Sequence, residues 1–341
     1  MKPLLVIKIG TSAITQKNGD VDLNVTKNIC DEIAMLQKKY RIVLVSSGAV
    51  GSGKKFLSNF KNKKIEKKAA AAIGNPLLIK IYTEFFSKHK IVVAQSLCER
   101  FHFSNRKNFL HLRETFEELW KNNIIPIVNE NDVVSNNELE FSDNDQLATL
   151  IACGFMAKKI LFGTSIDGLL DDKKLIKKIT NFDEKIFGMV EDKISEGGLG
   201  GMASKLNFAK LAVNMGVDAI IFNAKIPGNI LLAEQNKTGT FCKHKKRNIS
   251  AHQKWIATGC LVSAKVIVDS GAEKALNKKK NLFLVGIKKI QGNFEKGDFF
   301  EIFSEKNEYI GIARAKQSLK EINFENKKGI KIAHADEIVI F

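Results

Sequence analysis

Short runs of almost unbroken apolar residues recur along the first two thirds of the chain: LLVIKI (residues 4–9), RIVLVSS (41–47), IVVAQ (91–95), IIPIV (124–128), KKILFGT (158–164) and DAIIFNA (218–224). None alternates apolar with polar, so each reads as a strand covered on both faces, as parallel sheets require. Segments of helical period lie between them. Ile29, Ile33 and Leu36 share one face of residues 24–39, with Asn24 placed as a cap. Residues 106–121, 144–157 and 202–215 have the same character, and 65–88 reads as a longer helix bent where Gly74-Asn75-Pro76 interrupts it. This alternation predicts an α/β fold, a doubly wound and mainly parallel sheet with helices on both faces.

The pattern changes after about residue 236. NKTGTFCKHKKRNISAHQ (236–253) is polar and basic and reads as a short strand plus linker. Beyond Trp255 come short strands with turn signals, GIKKIQGNFEKGDFFEIF, YIGIARAKQSL and DEIVIF. The expected division is an α/β domain over 1–240, a linker over 241–253 and a small β-rich domain over 254–341.

Composition narrows the class. Apolar residues make up 44% and charged residues 27% of the 341, an ordinary globular balance. No apolar run approaches the roughly 18 residues a membrane span needs, and the N-terminus has no leader-like apolar core. The five cysteines form no Cys-x-x-Cys pair and the six histidines show no ligand spacing, so no metal site is expected and a reducing cytoplasm fits. The net charge of +17 invites a nucleic-acid reading. The lysines are dispersed through nearly every segment, without aromatic interleaving, and so read as a solvated basic surface that draws anionic substrates.

In open α/β sheets ligands sit at the carboxyl ends of the strands, so the residues there are the candidate chemistry. They are Lys8, Gly10, Thr11 and Ser12 after the first strand; Ser46, Ser47, Gly48 and Ala49 after the second; and Asn129, Glu130, Asn131 and Asp132 after IIPIV. Asp143, Asn144 and Asp145 open a helix, Thr164 and Ser165 follow the fifth strand, and GGLGGMASK leads to Lys205 at a helix start. GAVGSGKK (48–55) nearly matches a P-loop, but Lys55 stands where a Mg²⁺-ligating hydroxyl is required. Singly, each element has a plain structural explanation: SDND is a good helix cap, NEND an ordinary loop and SSGA a strand-to-helix turn. Together they supply two glycine-rich loops suited to phosphate and two sequence-distant lysines suited to a transferring phosphoryl group.

In this order, VIKIGTS, VLVSSGAVGSG, IIPIVNENDVV, DNDQLA and GGMASKL resemble the motifs of the amino acid kinase family, and most closely its members that phosphorylate glutamate; the trailing part resembles a PUA domain. The resemblance covers essentially the whole chain. It implies ATP-dependent phosphorylation of the γ-carboxylate of L-glutamate, the first step towards proline, with Mg²⁺ on the phosphates. It assigns charge stabilisation to Lys8 and Lys205, oriented by Asp145. Glutamate falls to Ser47, Gly48, Asp132 and Asn144. ATP falls to Lys8, Gly10, Thr11, Thr164, Ser165 and the loop Leu199, Gly200, Gly201, Met202, Ala203, Ser204 and Lys205. It further implies proline as feedback inhibitor and a homo-oligomer, dimer or tetramer. On this reading GAVGSGKK is a strand–turn–helix of the family, Gly51 and Gly53 relax the backbone, and Lys54 is a surface lysine. The chain departs from the family at Ser165, where an Asp is usual, at Leu170, where a Tyr is usual, and in a glycine loop about one residue short. All three touch the nucleotide side. Rival readings are a kinase of N-acetylglutamate or aspartate, and an RNA-binding protein built on the PUA-like domain.

Overall fold

The computed structural model describes residues 1–16, 19–99, 101–104, 106–134, 144–172, 174–191, 201–244, 262–306, 308–322 and 329–340. It divides into two compact units, Met1–Glu99 with Phe109–Arg247, and Arg100–Asn108 with Asn248–Phe341.

The first unit is built on strands β1 (Leu4–Ile9), β2 (Arg41–Ser46), β3 (Val93–Cys98), β4 (Ile125–Glu130), β5 (Lys159–Thr164), β6 (Lys178–Ile179), β7 (Asp218–Asn223) and β8 (Thr240–Cys242). They form one eight-stranded sheet in the order β3-β4-β2-β1-β5-β7-β8-β6. Its pairings are parallel except β8 against β7, which is antiparallel. Among its helices are α1 (Leu23–Gln37), α2 (Ala49–Gly53), α3 (Lys64–Ser87), α4 (Arg106–Lys121), α5 (Asn144–Gly154), α6 (Met202–Asn214) and α7 (Asn229–Glu234). β1 lies mid-sheet and every one of its residues is buried, as its unbroken apolar run requires. The chain leaves β1 for β2 on one side and pairs β1 with β5 on the other, so the order reverses at β1. That reversal opens a crevice at the carboxyl ends of the central strands.

Five details differ from the sequence expectation. The cap of α1 is Asp22, which accepts from the Val25 N–H at 3.1 Å, and Asn24 lies inside the helix. The third strand is Val93–Cys98, two to three residues later than IVVAQ; the chain first turns, with Lys90 at φ 58° and the Ile91 N–H on Phe86 O. Gly53 has ordinary helical dihedrals, so backbone relaxation is not its purpose. A β-carbon there would lie 1.9 Å from Ala70 O, and one at Gly74 would lie 1.8 Å from Ala49 O. The two glycines let α2 and α3 touch backbone to backbone. Lys54 is half-buried and lies over Gly19. Helix α3 runs on through Pro76.

In the second unit, β9 (Val262–Val268), β10 (Ile287–Gly292), β11 (Phe299–Phe303), β12 (Tyr309–Arg314) and β13 (Ile338–Ile340) form a five-stranded sheet in the order β10-β9-β11-β12-β13. Helix α8 (Ser270–Asn277) is capped by Asp269 and packs Leu276 into a core with Val266, Phe300 and Ile332. Trp255 and the expected linker beyond His244 lie outside the described residues.

Because the β-carbon of an alanine at 74 would overlap the Ala49 carbonyl, Gly74→Ala separates α2 from α3. The loss is expected to be roughly 1–3 kcal/mol or more, as for other overpacked cores, outweighing the gain of about 1 kcal/mol in helix propensity. Urea unfolding checks this; an unchanged midpoint would show that the contact is not tight.

Candidate active site

Three charged side chains from distant parts of the sequence meet at the crevice. Lys8 is the penultimate residue of β1, in register with Val45 and Phe162; it is 5% exposed. Asp145 is the second residue of α5 and is fully buried. Lys205, 7% exposed, stands in the first turns of α6. Lys8 Nζ lies 2.7 Å from Asp145 Oδ1, and Lys205 Nζ donates to Asp145 Oδ2 at 3.0 Å. Each carboxylate oxygen thus takes one ammonium. Burial would raise the Asp145 carboxyl, but the two ammoniums outweigh it and hold the group below the ordinary carboxylate range. Its place in the first turn of a helix adds to this. The triad carries a net positive charge in a site shielded from water, which suits an anion whose charge shifts during reaction.

Beside the triad runs a chain of amides. Asn144 Nδ2 donates to Ser47 Oγ at 3.0 Å and to Asn129 Oδ1 at 2.8 Å, and Asn129 Nδ2 donates to Asn75 Oδ1 at 2.9 Å. Below it, Ser46 Oγ and the buried Tyr82 hydroxyl are 2.8 Å apart. Gly48, at φ 101°, turns the chain from β2 into α2, a conformation in which a side chain is strained.

On the other side of β1, the Gly10 N–H donates to Gly163 O at 3.0 Å and the chain enters a helical turn over Thr11–Ile14. Thr164 is buried at the end of β5. Ser165 Oγ donates to Ser12 Oγ at 3.2 Å, and Asn223 Nδ2 donates to Asp167 Oδ1 at 2.9 Å. Gly201 caps α6, and Met202, Ala203 and Ser204 form its first turn. Asp132 stands half-buried in the turn after β4, which the Val134 N–H closes on Asn131 O at 3.2 Å. Leu199, Gly200 and Asp143 lie outside the described residues.

Direct bonds therefore join Lys8, Asp145 and Lys205, and join Asn144 to Ser47. Sequence reasoning passed over Tyr82, Asn223 and above all Asn75, which reads as part of a helix interruption. The one available signal was an amide set between Gly74 and Pro76 in the apolar middle of the helix, residues 69–79.

Asp145→Asn leaves two buried ammoniums without a counter-charge, a change that costs about 3–5 kcal/mol at comparable sites. Because the folded carboxyl titrates lower than the unfolded one, its contribution is present above about pH 4 and fades as pH falls through the folded value. Denaturant unfolding should show a gap between wild type and variant at pH 7 that closes in acid. A gap independent of pH would mean the charge pairs are not its source.

The amino acid kinase family model matches residues 3–223 and the PUA domain model residues 264–335. Glutamate 5-kinase of Thermoanaerobacter sp. is 35% identical over 348 aligned positions, covering 98% of this chain and 93% of the relative. Glutamate 5-kinase of Caldanaerobacter subterraneus subsp. tengcongensis is 36% identical with the same coverage. That of Rippkaea orientalis is 36% identical over 99% of this chain and 94% of the relative. A lysine–aspartate–lysine bridge at the sheet's switch point, a PUA domain match later in the sequence and 35–36% identity to these enzymes over nearly the whole chain place the chain in the amino acid kinase family, in its glutamate 5-kinase branch.

Proposed function

We propose that the chain transfers the γ-phosphoryl group of ATP to the γ-carboxylate of L-glutamate, forming L-glutamyl 5-phosphate and ADP, the first step towards proline. The observation that carries the site assignment is the Lys8–Asp145–Lys205 bridge, which sets two fixed ammoniums beside an amide-rich subsite. At neutral pH the γ-carboxylate is ionised and already nucleophilic. One of its oxygens attacks the γ-phosphorus, the bond to the β–γ bridging oxygen breaks, and ADP leaves with that electron pair. No general base is required. The chain's task is positioning and charge neutralisation. Lys8 and Lys205 face the equatorial oxygens and the bridging oxygen, and Asp145 holds both ammoniums apart in one geometry. Ser47, Asn144 and Asp132 hold glutamate, with Asp132 suited to the α-ammonium. Gly10, Thr11, Thr164, Ser165 and the loop ending at Lys205 hold ATP.

Asp145 is committed to two lysines, and among the described residues no three acidic, histidine or cysteine side chains cluster. That donor set fits a Mg²⁺ that would be carried on the phosphates of ATP, where it would neutralise charge and draw few ligands from the chain. The family resemblance extends the proposal to feedback inhibition by proline and to assembly as a dimer or tetramer. Among the described residues no helix is long and apolar enough to cross a membrane.

Incubation with glutamate, ATP and hydroxylamine tests the reaction. Hydroxamate should form with glutamate, and far less with aspartate or N-acetylglutamate; preference for either of those would move the chain to a neighbouring branch. In this assay Lys205→Ala and Lys8→Ala should each lower kcat by about 10²–10³ with the fold intact, the usual loss when one preorganised charge is removed. A fall of less than about tenfold would make the lysine a binding or structural group.

Asp132→Ala should raise the KM for glutamate far more than that for ATP. The reverse pattern would put Asp132 on the nucleotide side.

A further inference from the structure

The amide chain has a direction. An amide side chain offers two N–H donors and one acceptor oxygen. Asn144 spends its Nδ2 on Ser47 Oγ and Asn129 Oδ1, and the same nitrogen lies 3.4 Å from Ser46 O, which only accepts. Asn144 is thereby fixed with its nitrogen inward, and its Oδ1 is buried without a protein partner. Asn129 continues the direction by donating to Asn75 Oδ1. Asn75 ends it, 5% exposed, with its Nδ2 likewise buried and unpartnered.

If Asn129 turned over, its nitrogen would face the nitrogen of Asn144 and its oxygen the oxygen of Asn75. Two hydrogen bonds would become two repulsive contacts. Asn129 therefore keeps its orientation only while both neighbours keep theirs. At the Asn144 end the Ser46 carbonyl enforces this. At the other end nothing but Asn75 does, and its backbone is held by the contact of Gly74 with Ala49 O, where no β-carbon fits.

We propose that Asn75 is a positioning residue of the amino-acid subsite. By accepting from Asn129 it locks the direction of the amide chain, and through Asn129 it joins the Ser46 carbonyl in keeping Asn144 Oδ1 as the one amide atom of that residue left without a protein partner, an acceptor reserved for the substrate's α-ammonium. Asn144 has no N–H left for a ligand, so an acceptor is what it presents. Helix α3, which carries no strand-end loop, thus acts on substrate recognition from beneath the site. The inference rests on the glutamate-kinase reading of the same crevice.

Asn75→Leu is close in volume and has no acceptor. Steady-state kinetics should show the KM for glutamate rising about tenfold or more, the scale of one lost oriented hydrogen bond, while the KM for ATP stays within about twofold. Placed on an Asn129→Ala background, the same substitution should add little, because Asn75 acts through Asn129. Should Asn75→Leu fail to fold, Asn75→Ala is measured in the same way, with thermal melting followed in parallel. A glutamate KM unchanged within about twofold, an equal rise for both substrates, or full additivity with Asn129→Ala would overturn the assignment and leave Asn75 a packing residue. Wild-type enzyme that forms no hydroxamate from glutamate would overturn the reaction itself, and this assignment with it.

Discussion

A single buried carboxylate holds the carboxyl end of the central strands together. Asp145 takes one lysine on each oxygen, and neither lysine has any reason to be buried without it. An isolated ammonium in so dry a place would be expensive. Lys8 comes from a central strand and Lys205 from a helix 197 positions later in the numbering, so the pairing joins β1, α5 and α6 at one point. The same pairing that makes burial tolerable leaves an excess positive charge at the place proposed for the phosphoryl group. Stability and chemistry draw on the same three side chains.

Position along the strand decides what a buried lysine does. Lys159 is also buried, and begins β5 at the opposite, amino-terminal end of the central strands. Its ammonium donates to Glu234 O at the end of α7 and to Asn236 Oδ1 at 2.8 Å. Burial depresses its titration, and its role is to satisfy the last carbonyls of a helix. Lys8, at the carboxyl end of its strand, faces the crevice created by the reversal of strand order. Topology, not residue type, separates the two.

Much of this was legible in the sequence. Unbroken apolar runs have few other solutions than buried parallel strands, so β1, β2, β4, β5 and β7 fall close to where they were expected. Strand-end residues could be collected because the fold class says where ligands go. What stayed hidden depends on contacts between segments. Gly53 reads as a flexible turn, but its function is the approach of Ala70, seventeen residues on and in another helix. Asn75 reads as a helix interruption because nothing in its neighbourhood points to Asn129, fifty-four positions away. Asp22 displaces Asn24 as a cap because both residue types suit the role, and only backbone geometry chooses between them.

The central claim is that Lys8 and Lys205 act on one phosphoryl group as a unit organised by Asp145. A double-mutant cycle on kcat, with Lys8→Ala, Lys205→Ala and the pair, tests it most directly. If the two lysines share one task, the double variant should be little slower than the slower single variant. Costs that simply multiply would show two independent contributions and contradict the account.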